Sequence, residues 1–449
     1  MGRSVVIGAS LSGLFTAVAL QQLDGETLII ERDLLSAASA LPRSGVPQGR
    51  HPHVFLYRGL LAAEQLLPGL GDDLIAAGAI PFNTGDLPWL SEDGWLPTGR
   101  PGFEVLSATR PLFEEVVRHR VLTLPGVQLR EGARVSELRR DDGRWDVDLA
   151  DGGSVPADLV VDASGRSSRL SVWLTRLGVT VPEPTEIDAG VGYATRMYQP
   201  DREPDDCPGL VLASNPTTLA GGMALRVEQG RWLICALGFG TRRPPRDESE
   251  FHDFLATLPD PVLADLAARW RALGDVQLHR QTGNVRRRFE RCRDWPARLL
   301  AVGDALCAFD PIYGQGITVG ACQALLLRDA FTAGFTPAAS RRLQRRMAGP
   351  VRTPWDIATS EDLRFPTSRG HQTAVQSLLG SWAREVGRLA VHGDRRAADV
   401  LGRVYHLVST PLLLAHPALV VAVARSRLFG PGTPAARPAV LDSLVGYPP

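Results

Sequence analysis

The opening stretch SVVIGASLSGLFTAVALQQLDGETLIIER, residues 4–32, constrains this chain more than any other. A short apolar strand, Ser4–Ile7, runs into Gly8, Ser10 and Gly13 at the spacing GxSxxG. A helix follows with Leu14, Val18 and Ala19 on its inner side, and a second strand, Thr27–Ile30, ends at Glu31. Gly8 permits a tight turn, and Gly13 lets the helix lie close to the strand. The helix N-terminus offers unpaired N–H groups to a pyrophosphate, and Glu31 can accept hydrogen bonds from a ribose diol. Ser10 stands where a middle glycine is usual and is small enough to be compatible. The bland alternative is an ordinary βαβ crossover with a glycine turn. The terminal acid favours a nucleotide site.

Two distant stretches sharpen this. ADLVVDASGRSSRL (Ala157–Leu170) is an apolar strand entering a turn with Asp162 at its end, although a strand-end aspartate is often only a turn former. RLLAVGDALCAFDPIYGQGITVGACQALLLRDAF (Arg298–Phe331) places Gly303-Asp304 after a strand, then a DPxxGxG loop at Asp310–Gly316, then a long helix. Pro311, Gly314 and Gly316 together let backbone amides approach something flat and anionic.

These three stretches resemble the FAD fingerprints of the para-hydroxybenzoate hydroxylase-type flavoprotein monooxygenases, over roughly residues 4 to 330. The resemblance implies an α/β fold: a Rossmann-like FAD-binding domain, an inserted mixed β-sheet substrate domain and C-terminal helices. It implies that Gly8, Ser10, Leu11, Ser12 and Gly13 hold the pyrophosphate, with Glu31 and Arg32 at the adenosine ribose. Arg43, Val46 and Arg110 reach the FAD, and the backbone of Val135 touches adenine. Asp162, Gly303 and Asp304 follow, with Asp304 on the ribitol. Pro311, Gly314, Gln315, Gly316 and Ile317 face the isoalloxazine. The second fingerprint reads Asp162-Ala163 where Asp-Gly is usual, which weakens any role of this turn toward NADPH. RSGVPQGRHPHVFLYRGLLAAEQLLPG, YATRMY (Tyr193–Tyr198) and WDIATSEDLRFP (Trp355–Pro366) further resemble the bacterial epoxidases of polyene precursors of polyethers, with squalene-epoxidase-type enzymes more distant.

The expected reaction is therefore insertion of one oxygen atom of O2 through the C4a-hydroperoxide of reduced FAD, epoxidising an alkene of an apolar polyketide or terpenoid intermediate. NAD(P)H would be the reductant, directly or through a separate flavin reductase. The alternatives are an aromatic or polyketide hydroxylase and a prenyl reductase. Halogenation is disfavoured because the chain has no lysine among its 49 basic residues, and the WxWxIP signature is missing. Epoxidation needs no fixed base, so no catalytic residue is assigned beyond a candidate in His53. His51 and His53, in PQGRHPHVF, are not read as metal ligands, since Pro52 splays them and no cysteine lies nearby.

The expected domains are 1–187 and 291–370 for FAD, 188–290 for substrate, and 371–449 for C-terminal helices and tail. Alternation in Tyr193/Thr195/Met197 and in Met223/Leu225 marks a half-buried sheet, and these five are the substrate candidates. Gln372–Val408 reads as a helix laid across the domains, with a dimer face or a weak peripheral membrane contact as alternatives. Phe429–Pro449, rich in Pro and Gly, reads as a loosely held tail. Balanced charge, 49 basic against 49 acidic residues, argues against nucleic acid. Five irregularly spaced cysteines read as reduced thiols in a cytoplasmic protein.

Overall fold

The computed structural model describes residues 2–23, 25–35, 42–204 and 207–446. The end of the expected tail, 447–449, lies outside them. The elements that position the site begin with β1 (Arg3–Ile7), α1 (Leu11–Leu20), β2 (Glu26–Ile30) and α2 (Tyr57–Leu66). Next come the short strands β3 (Trp89–Ser91) and β4 (Gly94–Trp95), then α3 (Arg110–Leu122), β5 (Val127–Arg130) and β6 (Leu159–Asp162). Strands β7 (Gly192–Gln199), β8 (Gly209–Leu212), β9 (Ala220–Val227) and β10 (Arg231–Gly238) follow, with helices α4 (Glu248–Ala256) and α5 (Val262–Arg269) before β11 (Arg271–His279). The chain returns with β12 (Leu299–Ala301) and α6 (Gly316–Thr332). It ends in α7 (Ser340–Met347), α8 (Arg352–Asp362), α9 (Ala374–Val391), α10 (Arg395–Tyr405), α11 (Pro417–Phe429) and α12 (Val440–Val445).

Strands β12, β6, β1, β2 and β5 form a parallel sheet in that order. Helices cover such a sheet on both faces, which is why Val5, Val6, Val160, Val161 and Leu300 are all apolar and fully buried. Ile7 pairs with both Ile30 and Asp162, and Asp162 with Ala301. The three sequence fingerprints therefore leave the sheet from one row of carboxyl ends, the edge at which open α/β sheets bind ligands.

Strands β11, β7, β10, β9, β8, β3 and β4 form a second sheet, antiparallel except for the β8–β3 pair. It draws β3 and β4 from residues 89–95, outside the segment expected to build it. Alternate residues face opposite ways. Ala194, Trp232 and Ile234 pack with Phe251, Leu255, Leu263 and Leu266 of α4 and α5. Tyr193, Met223, Leu225 and Cys235 face a cavity instead.

The tail is not loose. Ala435 bridges to Trp95, Arg437 pairs with Asp260 at 2.6 Å, and Leu441, Leu444 and Val445 of α12 are buried in the core beneath the second sheet. The expected single helix over 372–408 is two, α9 and α10, broken at Gly393 with φ +89°. Val386 and Leu389 of α9 are buried, while Val375, Leu378 and Leu379 in its first turns are exposed.

Candidate active site

A cavity of about 1340 Å3 lies between the carboxyl edge of the parallel sheet and the second sheet. A single small-molecule pocket holds roughly 300–1,000 Å3, so there is room for a cofactor and a substrate together.

One end is polar. Gly8 has φ +104°, and a Cβ there would lie 2.6 Å from the Ala163 carbonyl oxygen; a Cβ on Gly13 would lie 1.9 Å from the Gly8 carbonyl oxygen. Only glycine permits this turn and this approach of α1. Ser10 makes no side-chain cap of α1. Its hydroxyl donates instead to Glu114 Oε1 at 2.7 Å, and Arg110 Nη2 donates to that hydroxyl at 2.8 Å. Arg110 Nε reaches Glu114 Oε1 at 3.0 Å and Arg43 Nε reaches Glu114 Oε2 at 2.9 Å. Burial raises the Glu114 pKa, but the Arg110 and Arg43 charges outweigh it and hold the carboxyl below its usual range. Glu31 accepts from the Ala9 N–H at 2.7 Å and pairs with Arg43 Nη1 at 3.1 Å.

Glu114 was not singled out from the sequence, though it stands four residues after Arg110, on the same helix face. It clamps both arginines beside the α1 N-terminus. Arg166, in the DASGRSS turn, was missed too. It donates to the carbonyls of Phe309, at 2.7 Å, and Gly283, tying this turn to the residues before the DPxxGxG loop.

Toward the second sheet the wall is the loop 310–317. Gly314 has φ +66° with open space where a Cβ would stand, and α6 starts at Gly316 with no side-chain cap and no acidic residue in its first turn. Among the described residues, both amide atoms of Gln315, a residue 1% exposed, lack a partner, as do Arg43 Nη2 and Ser164 Oγ. Two uncapped helix N-termini and a row of orphaned buried polar atoms along one cleft fit an extended anionic cofactor. FAD meets that description: Gly8 to Ser12, Arg43 and Arg110 would hold its pyrophosphate, and 311–317 its ring.

Gly8, Ser10, Leu11, Ser12, Glu31, Arg32, Arg43, Val46, Arg110, Val135, Asp304, Pro311, Gly314, Gln315, Gly316 and Ile317 all line this cavity. Gly13, Asp162 and Gly303 do not. Asp162 is fully buried, accepts from Ser164 N–H at 3.0 Å and from Ser168 Oγ at 2.5 Å, and so shapes its turn, the bland alternative noted above. A Cβ on Gly303 would lie 2.6 Å from Ser12 Oγ, so this glycine serves close packing. Burial raises the Asp304 pKa against the opposing charges of Arg166, Arg110 and Arg287.

The other end is apolar. Tyr193, Met223 and Leu225 line it, with Trp89, Leu401 and Tyr405 opposite. Thr195 and Met197 do not line it. Thr195 instead meets His51, whose Nδ1 lies 2.7 Å from its Oγ1. His51 is 5% exposed, and its Nε2 has no partner among the described residues. Its ring stands 5.7 Å from Tyr193 and 5.6 Å from His279. Burial foremost, then the neighbouring His279, lowers the His51 pKa to about 3. His53 also lines the cavity, but its Nδ1 is taken by the His51 carbonyl at 2.9 Å.

Tyr193 Oη donates to Asp310 Oδ1 at 2.6 Å. Burial raises Asp310 to about 6, opposed by this bond. Asn284 links Asp310 to Asp362, and Tyr313 donates to Asp362 at 2.8 Å. The closing wall from α9 and α10, including Ala390, Leu401, Gly402 and His406, carried no sequence signal beyond helical periodicity.

Fold and cavity together define a class: this is the architecture of the para-hydroxybenzoate hydroxylase-type flavoprotein monooxygenases. Among solved structures, p-nitrophenol 4-monooxygenase PnpA from Pseudomonas putida DLL-E4 aligns with TM-score 0.62 and 17% identity, over 92% of this chain and 99% of that one. Diels-Alderase PyrE3 aligns with TM-score 0.62 and 16% identity, over 91% and 81%. The anhydrotetracycline hydroxylase OxyS from Streptomyces rimosus aligns with TM-score 0.57 and 19% identity, over 91% and 77%. By sequence, the chain belongs to the family of Protein Rv3254 of Mycobacterium tuberculosis. The two are 32% identical over 417 residues, 86% of this chain and 84% of its relative. No protein-family profile matches the chain.

Proposed function

We propose that this protein is an FAD-dependent monooxygenase that places one oxygen atom of O2 in an apolar small molecule. The carrying observation is a single cavity in which a cradle fitted to FAD opens directly onto an apolar chamber. FAD, when bound, supplies the redox chemistry and the activation of O2. The chain's own residues bind and orient it through Arg43, Arg110 and the loop 311–317. They exclude water with Trp89, Leu401 and Tyr405, and hold a proton at Tyr193 Oη against Asp310. Epoxidation of an alkene needs no more than this.

Hydroxylation of a phenol is the second reading, favoured by one observation. Asp310 at about 6, bonded to Tyr193, and a neutral His51 with a free Nε2 are groups that can accept a proton beside the chamber. NAD(P)H, directly or through a partner reductase, is the proposed electron source, and a cytoplasmic location is part of the same proposal. No described helix is long and apolar enough to cross a membrane.

Purified protein reconstituted with FAD is incubated with a polyene panel and a phenol panel, a reductant and isotopically labelled O2. One labelled oxygen in a polyene product supports epoxidation, and one in a phenol product supports hydroxylation. Product formed equally without O2 overturns the monooxygenase reading in favour of a non-oxidative use of the fold.

A further inference from the structure

A second cavity, of about 920 Å3, lies along a different face of α6. Thr318, Cys322, Leu325 and Leu326 form its floor at helical spacing, with Val319 beside them. Around it stand Arg58 of α2, Arg342, Arg345 and Arg346 of α7, and Arg352 at the start of α8. Among the described residues the one acidic member of the wall is Asp329, which is paired with Arg328 at 3.1 Å. Among the described residues, none of these five guanidinium groups stands within ion-pair distance of a carboxylate. In a chain of zero net charge, such a concentration is a local feature and not a consequence of composition.

One further observation favours an anion. Helix α8 starts against this cavity through Arg352, Thr353 and Pro354 with no acidic residue in its first turn, so the positive end of its dipole adds to the field of the arginines. Thr318 is fully buried with its hydroxyl packed against Gly59 of α2 and without a partner among the described residues. Guanidinium forks match phosphate oxygens in a way that a simple positive field does not. The floor is apolar, so the molecule that fills the space carries an apolar part.

We infer that this cavity binds a phosphate-bearing small molecule, its phosphate held by Arg345, Arg346 and Arg352 and its apolar part on the α6 face. The phosphate can belong to a free metabolite or to the headgroup of an anionic lipid. Two chain segments are shared between the cavities. Ile317 lines the first and Thr318 the second; His406 lines the first and Leu407 the second. Leu407 is held at φ +58°, a conformation uncommon outside glycine, at this junction. A phosphate ligand therefore touches the residues adjoining the cofactor loop and the closing helix α10.

The test titrates inorganic pyrophosphate into FAD-saturated protein by isothermal calorimetry, so that the first cavity's anion site is filled. The variants are Arg345→Gln/Arg346→Gln, both exposed, and Arg425→Gln on α11 as control. Saturable binding, weakened by about ten-fold or more in the double variant and unchanged in the control, supports the inference. A parallel arm sediments the same proteins with phosphatidylglycerol or phosphatidylcholine vesicles. Retention by phosphatidylglycerol alone, lost in the double variant, supports it with the phosphate on a lipid. No binding in either arm, or binding indifferent to the double variant, overturns it.

Discussion

His51 concentrates the residue-scale argument. The stretch PQGRHPHVF brings two histidines to the cavity, and the sequence reading favoured His53. The structure buries the His51 ring instead, because Thr195 and His279 meet it from β7 and β11. No local pattern signals contacts that distant. The consequence is a titration with a definite sign. His51 is lowered from 6.5 to about 3, and His53, His279 and His406 to about 4. Depressed histidine pKa values contribute stability that is complete above pH 6.5 and is lost as the pH falls toward 4 and below, because the unfolded chain binds those protons first. Buried carboxyls run the other way: Asp310 is raised from 3.8 to about 6, and burial also raises Asp162, Asp304, Asp356 and Asp362. The change of melting temperature from pH 6.5 to pH 4 is the balance of the two sets, with His51 lowering stability on acidification by on the order of a few kcal/mol. His51→Gln should remove that share, so that the variant loses measurably less stability on acidification than the parent in calorimetry. An unchanged loss would place the acid lability elsewhere.

Among elements, the strands of the second sheet were legible because alternation survives in Tyr193/Thr195/Met197 and Met223/Leu225. Which of these reach the cavity was not legible, since a strand's alternation fixes a face but not how far the cavity extends along it. The tail shows the opposite failure. Its Pro and Gly content reads as loose, yet Leu441, Leu444 and Val445 stand at i, i+3, i+4 and are buried. Helix α12 has only six residues, too short to form alone; the core beneath the second sheet holds it. Leu441→Ala should cost about 2–5 kcal/mol in urea unfolding. Phe429→Ser, at a side chain 82% exposed, should stay within about 0.5 kcal/mol. Equal effects of the two would mean that α12 does not dock in solution. The same contrast applies to α9, where Val386 is buried and Leu378 is 71% exposed although one periodicity contains both.

For the whole molecule, the fold was readable because each fingerprint is contiguous and leaves the parallel sheet from the same row of strand ends. The site was readable only at its polar half, where glycines and charges carry local signatures. The apolar half is assembled from residues 82–96, 193–279 and 390–406, and their meeting is a property of packing alone. That division predicts how ligands stabilise the protein. A ligand bound at 100 times its dissociation constant stabilises the fold by about 2.7 kcal/mol. Each ligand should do so according to which of the orphaned groups it satisfies. ADP can reach Arg43 and the α1 N-terminus but leaves Gln315 and the α6 N-terminus without a partner. FAD spans both. At equal concentration, FAD should therefore raise the melting temperature by more than ADP, and Arg43→Gln should diminish both shifts. The reason is that its guanidinium, with Nη2 unpaired in the structure, serves the end the two ligands share. Shifts of equal size for ADP and FAD would show that the loop 310–317 receives nothing from the cofactor, and the flavin assignment of that loop would fall.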